Sequence, residues 1–123
     1  MKNFLITTAA LEGATGLVLI ALPSLLASLL LGSPLDTSVA LTVARIGGVA
    51  LLTIGAACWL ARLDAGSRAA RGLAGAMLIY NGGAVAIFLY AALGLSLSGV
   101  GLWPAVAVHA VMAAWCIKEA MKQ

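Results

Sequence analysis

The stretch TTAALEGATGLVLIALP, residues 7–23, decides how this chain is built, because it has the character of a helix made for hydrocarbon. Glu12 departs from that character, since it places a carboxylate in an otherwise apolar segment. The apolar run continues on both sides, from about Asn3 to Leu31. This run is longer than one membrane crossing needs, so we expect either a kink at Pro23 or a tilt that takes up the excess.

The composition of the whole chain is typical of a membrane protein. Of its 123 residues, 63% are hydrophobic and 9% are charged, and the mean hydropathy is +1.13. Soluble domains have about 45–50% apolar and about 25% charged residues. The length leaves room for four spanning helices of about 20 residues each, and for no soluble domain beside them. The first apolar run exceeds the core of a signal peptide, about 7–15 residues, so we expect it to be retained.

Three breaks divide the chain into four apolar segments. The turn sequence Gly32-Ser33-Pro34 follows the first segment, the charged loop RLDAGSR (62–68) follows the second, and LSLSGVG (95–101) follows the third. The breaks predict helices over about residues 3–31, 38–61, 69–95 and 101–117. We therefore expect one all-α domain over residues 1–123, a polytopic integral membrane protein folded as a four-transmembrane-helix up-and-down bundle.

The basic residues outside the second helix all lie at one end of this predicted bundle. They are Lys2, Arg62, Arg68, Arg71, Lys118 and Lys122. The two loops at the opposite end carry neither lysine nor arginine. By the positive-inside rule the basic end faces the cytoplasm, so both termini are predicted to be cytoplasmic. The net charge of +3 follows from this topology, and the predicted partner is the lipid bilayer, not a nucleic acid.

Arg45 lies inside the second predicted helix, at membrane depth. A charge at the bilayer centre costs about 2.5–3.5 kcal/mol on insertion scales, so a partner is needed. Glu12 is the acidic residue at membrane depth, and an ion pair with Arg45 requires the first two helices to be neighbours. Such a pair predicts function somewhat more than structure, because intramembrane charges commonly mark the path or site of a ligand.

The third and fourth helices also carry polar residues near their midpoints, Tyr80 with Asn81 and the single histidine, His109. Polar groups are costly against lipid, so we expect them to converge inside the bundle. The alternative is that they only join helices, through hydrogen bonds of about 0.6 kcal/mol each. The predicted ligand-binding residues are Glu12, Thr15, Arg45, Tyr80, Asn81 and His109.

Several kinds of chemistry find no support in the residues. Cys58 and Cys116 fall near the predicted cytoplasmic ends of their helices and are expected to be buried thiols. No spacing of histidine, cysteine and carboxylate predicts a metal site, and one histidine cannot supply both axial ligands of a haem. Asp36 and Asp64 lie in loops on opposite sides, which argues against Ser/His/Asp catalysis. No catalytic residue and no cofactor is identified.

Four stretches of the sequence together resemble a known set of proteins. The segments EGATGLVLIALPSLLASLLLG (12–32), ARIGGVALLTIGAACWLAR (44–62), YNGGAVAIFLY (80–90) and LWPAVAVHA (102–110) are similar to small bacterial four-helix inner-membrane proteins of unassigned function. Arg45 followed by paired glycines also resembles the DoxX-like group, some of which accompany quinone-linked oxidoreductases. The resemblance implies a four-helix fold in the bacterial inner membrane and supplies no catalytic residue.

Three functions fit these residues. The first is binding of a small amphipathic or lipid-like molecule at the intramembrane polar residues, with transport as its extension. The second is a noncatalytic accessory subunit of a larger membrane complex. The third is a small intramembrane enzyme, for which a quinone-linked reaction is the example that the resemblance implies. Small-residue faces such as Ala44-xxx-Gly48 and Gly82-xxx-Ala86 favour close helix packing and leave room for a homo-oligomer.

Overall fold

The computed structural model describes residues 1–122, and over that range the chain is all-helical, as predicted. The α-helices are α1 (Lys2–Ala21), α2 (Pro23–Leu31), α3 (Ser38–Ala61), α4 (Arg68–Gly94) and α5 (Leu102–Met121). A short 3₁₀ turn, Arg62–Asp64, follows α3. Three segments are long and apolar enough to cross a membrane, Lys2–Ala21, Ser38–Asp64 and Arg68–Gly94. By their length and composition, these segments suggest a membrane protein.

The first predicted helix is divided in two at Pro23. Proline has no backbone N–H and disfavours helical dihedrals in the residue before it, and Leu22 has φ −133° and ψ 56°. The chain therefore changes direction between α1 and α2. The helix α2 ends at Gly32, whose φ of 75° is the left-handed conformation that glycine adopts without a steric penalty.

Local sequence signals start the next helices. Thr37 accepts a hydrogen bond from the backbone N–H of Ala40, and Ser67 accepts one from that of Ala70, each at 3.1 Å. These side chains satisfy backbone donors that would otherwise lack partners in the first turns of α3 and α4. Pro104 lies in the first turn of α5, where its missing donor costs no helical hydrogen bond.

Contacts at both ends of the molecule join α1 and α2 to α5 and to the loop before it. At one end the α-amino group of Met1 lies 2.5 Å from Glu119 Oε2, and the rings of Phe4 and Trp115 meet edge to face with centroids 5.8 Å apart. At the other end the N–H of Gly101 donates to the carbonyl of Leu29 at 2.7 Å. The N-terminus of α1 thus lies beside the C-terminus of α5, and the loop before α5 lies beside the C-terminus of α2.

Glu119 organises the end that holds both termini. Its carboxylate accepts hydrogen bonds from the amino group of Met1, from Lys122 Nζ at 3.0 Å and from Trp115 Nε1 at 3.1 Å. These donors, first the amino group and then Lys122, hold the pKa of the Glu119 carboxyl at about 2, below its usual 4.5. The side chain is 7% exposed, so this carboxylate is a buried anion with its partners in place.

Glycines set the distance between α1 and α3. A Cβ added at Gly16 would lie 2.7 Å from the carbonyl oxygen of Gly48, and one added at Gly48 would lie 2.8 Å from the carbonyl oxygen of Gly16. A Cβ at Gly55 would lie 2.9 Å from the backbone nitrogen of Gly13. The two backbones therefore approach as closely as glycine permits, which is the packing mode of small residues in membrane helices.

The helices α4 and α5 pack against each other as a second pair, and the two pairs meet in an apolar core at the end that holds the termini. This core consists of Phe4, Leu5, Cys58, Ala70, Ala74, Met77, Met112 and Cys116. Both cysteines are free and buried. A space remains between the pairs on the side of this core that faces the opposite half.

Candidate functional site

A cavity of about 530 Å³ lies between the two helix pairs, on the side of the core away from the termini. Residues from all five α-helices line it, together with Leu35 from the loop after α2. The helix α2 supplies an apolar wall of Leu26, Ala27, Leu30 and Leu31. Volumes of about 300–1,000 Å³ are typical of small-molecule sites in proteins. The cavity is therefore large enough to hold a small molecule.

The position of α2 beside the cavity depends on the break at Pro23 and on the loop before α5. The N–H groups of Gly99 and Gly101 donate to the carbonyls of Leu30 and Leu29, at 3.2 and 2.7 Å. A Cβ at Gly99 would overlap the carbonyl of Leu29, so the loop reaches these carbonyls only because glycine stands there. The loop thereby satisfies the last carbonyls of α2 and holds that helix across the cavity.

Glu12 and Tyr80 stand at one boundary of the cavity. Glu12 is 6% exposed, and the Tyr80 hydroxyl lies near its carboxyl group. A phenol can donate a hydrogen bond, whereas a carboxylate only accepts. The helix α1 presents Thr15 to the same cavity, one turn further along. A carboxylate has about four lone-pair positions, so Glu12 has acceptor capacity that a ligand can use.

Asn81 and His109 join α4 to α5 on the cavity wall. Asn81 Nδ2 donates to the carbonyl of Met77 at 2.8 Å, and Asn81 Oδ1 lies 2.8 Å from His109 Nδ1. The bond to Met77 fixes which end of the carboxamide is the oxygen, so His109 Nδ1 must carry a proton. In the neutral imidazole Nε2 is then a free acceptor.

Two aromatic rings pack against His109. The centroid of Tyr80 lies 5.6 Å from that of His109 at an interplanar angle of 76°, and the centroid of Phe88 lies 5.8 Å away at 36°. Both residues line the cavity. They restrict the orientation of the imidazole, and their π-electron density borders the same cavity as Glu12 and His109.

Arg45 lies outside this group of residues. It is exposed, it does not line the cavity, and its Nε donates to the carbonyl of Ile20 at 3.2 Å. The ion pairs found in residues 1–122 both involve Glu119, so the expected Glu12–Arg45 pair is not formed. The break at Pro23 leaves carbonyls at the end of α1 without helical partners, and the arginine binds one of them. Arg45 therefore acts as a cap on α1.

The other predicted site residues all line the cavity: Glu12, Thr15, Tyr80, Asn81 and His109. Phe88 was missed, although it follows Asn81 by seven residues and so shares its helix face. The leucines of α2 were also missed, because no local pattern shows in which direction a chain turns after a proline. Within residues 1–122, no group of three histidine, cysteine or acidic side chains is arranged to hold a metal ion.

Comparisons with protein families, with curated proteins and with solved structures find no match to this chain. The similarity to the DoxX-like group therefore stays a prediction from the sequence. Function has to be argued from the cavity itself.

Proposed function

We propose that this chain is a bacterial inner-membrane protein that crosses the bilayer four times and binds a small amphipathic or lipid-like molecule in the cavity between its helix pairs. One observation carries the proposal. The cavity has an apolar wall of leucines on α2 and polar groups from α1, α4 and α5 at its boundary. A ligand with an apolar body and a polar head matches such a surface, because specificity in apolar sites comes from a few placed polar groups.

The four-crossing topology is supported by the surface of the helices. Large apolar side chains are exposed on α3, α4 and also α5, including Val39 at 74%, Ile79 at 79% and Val111 at 64% exposure. Such surfaces are stable against lipid and costly against water. The helix α5 is not among the three segments that are long and apolar enough to cross a membrane; it contains Pro104, His109 and charges near its C-terminus, and His109 lines the cavity.

The orientation rests on charge. The six basic residues outside α3 lie at the end that holds both termini and the loop after α3. The positive-inside rule then places that end in the cytoplasm. Fusion of a periplasmically active reporter after Asp36, and separately after Lys122, tests this. We expect activity only from the first fusion, and the opposite result would contradict the orientation.

The binding proposal is tested by extracting the protein from its membrane in a mild detergent and analysing it by native mass spectrometry. We expect a copurified small molecule with the wild type. The variant Ala105→Trp fills the cavity from α5 and should lose it, whereas Val111→Trp adds the same ring to the exposed face of that helix and should retain it. Circular dichroism and gel filtration establish that both variants fold.

Other outcomes distinguish the rival functions. A stoichiometric larger protein with no small molecule would favour the accessory-subunit function. A copurified molecule that is chemically altered during incubation with the protein would favour an intramembrane enzyme. Uptake of the identified molecule into proteoliposomes by the wild type, and not by Ala105→Trp, would extend binding to transport.

A further inference from the structure

The cavity contains one formally charged side chain among the lining residues that the structure describes, and it is acidic. Glu12 is 6% exposed, and neither lysine nor arginine lines the cavity with it. Arg45, which the sequence predicts as the partner of Glu12, is exposed and donates to the carbonyl of Ile20 instead. The carboxylate is thus enclosed without a protein counter-ion.

An enclosed carboxylate needs compensation. Moving an ionised group from water to an apolar surrounding is unfavourable unless a charge or several hydrogen bonds replace the water. Tyr80 brings one neutral hydroxyl group to the same cavity boundary. The remaining compensation must come from a proton on the carboxyl group or from a cation that enters the cavity.

The surroundings of Glu12 favour a cation. The rings of Tyr80 and Phe88 border the cavity, and the π-electron density of aromatic rings attracts organic cations. In its neutral form the imidazole of His109 presents Nε2 as an acceptor, because Nδ1 then donates its proton to Asn81. The polar boundary therefore offers acceptors and π-electron density, which suit a donor-rich, positively charged head group.

We propose that the ligand is an amphipathic cation, a protonated amine on an apolar body, whose ammonium group binds Glu12 while the body lies against the leucines of α2. This inference rests on the proposed binding function and specifies the charge of the ligand. An anionic head group would meet the carboxylate as a like charge, and a neutral head group would leave it uncompensated.

The test compares three probes that share one apolar chain and differ in the head group: decylammonium, decanol and decanoate. Each is titrated onto the full-length protein in nanodiscs of zwitterionic phosphatidylcholine, and binding is measured by equilibrium dialysis of the radiolabelled probe. Discs that contain Ala105→Trp, in which the cavity is filled, provide the background from partition into lipid. We expect decylammonium to bind at least about tenfold more tightly than decanol, and decanoate most weakly.

Two variants identify the residue responsible. Glu12→Gln keeps the size of the side chain and removes its charge, so it should abolish the preference for decylammonium over decanol. Asp36→Asn removes an exposed acidic charge from the loop after α2 and should leave the preference unchanged. Tyr80→Leu removes the ring and the hydroxyl group without altering Glu12, and it should weaken decylammonium more than decanol.

The outcomes separate this inference from the function on which it rests. Equal binding of the three probes, or a preference that survives Glu12→Gln, would overturn the cation inference and leave the binding function standing. Absence of binding above the Ala105→Trp background for every probe would overturn both.

Discussion

His109 and Asn81 are joined across α4 and α5 by a contact of 2.8 Å between the imidazole Nδ1 and the carboxamide Oδ1. Asn81 is itself fixed by its bond to the carbonyl of Met77. The chain of contacts runs from a helix backbone to an imidazole on the cavity wall. It determines which imidazole nitrogen is available to a molecule in the cavity. Nδ1 is bound to Asn81, so Nε2 is the available one.

The tautomer of His109 provides the first prediction. We expect the neutral ring to carry its proton on Nδ1, since an amide oxygen can only accept. The ¹⁵N chemical shifts of the two ring nitrogens, measured on protein labelled at histidine, report this directly because the chain has a single histidine. Asn81→Leu removes the acceptor and should give a mixture of tautomers. A pure Nε2–H signal in the wild type would contradict the assignment.

The second prediction concerns Arg45. Because its Nε caps the carbonyl of Ile20 and the side chain is exposed, Arg45→Gln should lower the free energy of unfolding by about 1 kcal/mol or less. It should leave the copurified ligand in place. Denaturant titration followed by circular dichroism measures the first effect, and native mass spectrometry the second. Loss of the copurified molecule at unchanged stability would indicate that Arg45 is part of the binding site.

The third prediction tests the contact between α1 and α3. In Gly48→Ala the new methyl group meets the carbonyl oxygen of Gly16 and the backbone nitrogen of Ile20 at 2.8 and 2.9 Å, so the helices must separate. We expect a loss of about 1–3 kcal/mol in the free energy of unfolding. The matched control is Gly82→Ala on α4, where a Cβ meets nothing within 4 Å, and its stability should stay the same or rise slightly. Equal losses in both variants would contradict the close packing.

The fourth prediction concerns Thr8, whose hydroxyl oxygen is buried without a hydrogen-bond partner among the described residues. Thr8→Val replaces this group by a methyl group of similar shape. We expect a gain of about 1 kcal/mol in the free energy of unfolding, because the cost of enclosing an unpaired hydroxyl is removed. Thr42→Val is the control, since the hydroxyl group of Thr42 donates to the carbonyl of Ser38 on an exposed face, and its effect should be within about 0.5 kcal/mol.

The fifth prediction is a dependence of stability on pH at Glu119, which lies beyond the proposed fourth crossing. Its pKa is about 2 in the folded protein and 4.5 in the unfolded reference, so the ionised form stabilises the fold. This contribution is complete above about pH 4.5 and is lost as the pH falls toward 2. Thermal unfolding in detergent should show a midpoint that decreases over that window. In Glu119→Gln the decrease should be smaller, and an unchanged decrease would assign it to other carboxyl groups.

Particular residues show how far the sequence alone leads to the candidate site. Glu12, Tyr80, Asn81 and His109 are polar in apolar helices, and the cost of exposing such groups to lipid was sufficient to predict that they face inward. The same cost predicted that Arg45 also faces inward, and that prediction was wrong because Arg45 is exposed. An arginine can reach a free backbone carbonyl and remain exposed, and the break at Pro23 makes one available.

The sequence by itself determined the all-helical class, the membrane character and the end of the bundle that carries the positive charge. Each of these depends on properties that add up along the chain, namely hydropathy, turn residues and the positions of lysine and arginine. Only the tertiary structure decided which polar residues share the cavity, which way α2 turns after Pro23, and where Arg45 binds. Those depend on how closely glycines let α1 approach α3 and on contacts between residues far apart in the chain, such as Leu29 with Gly101, which no local pattern encodes.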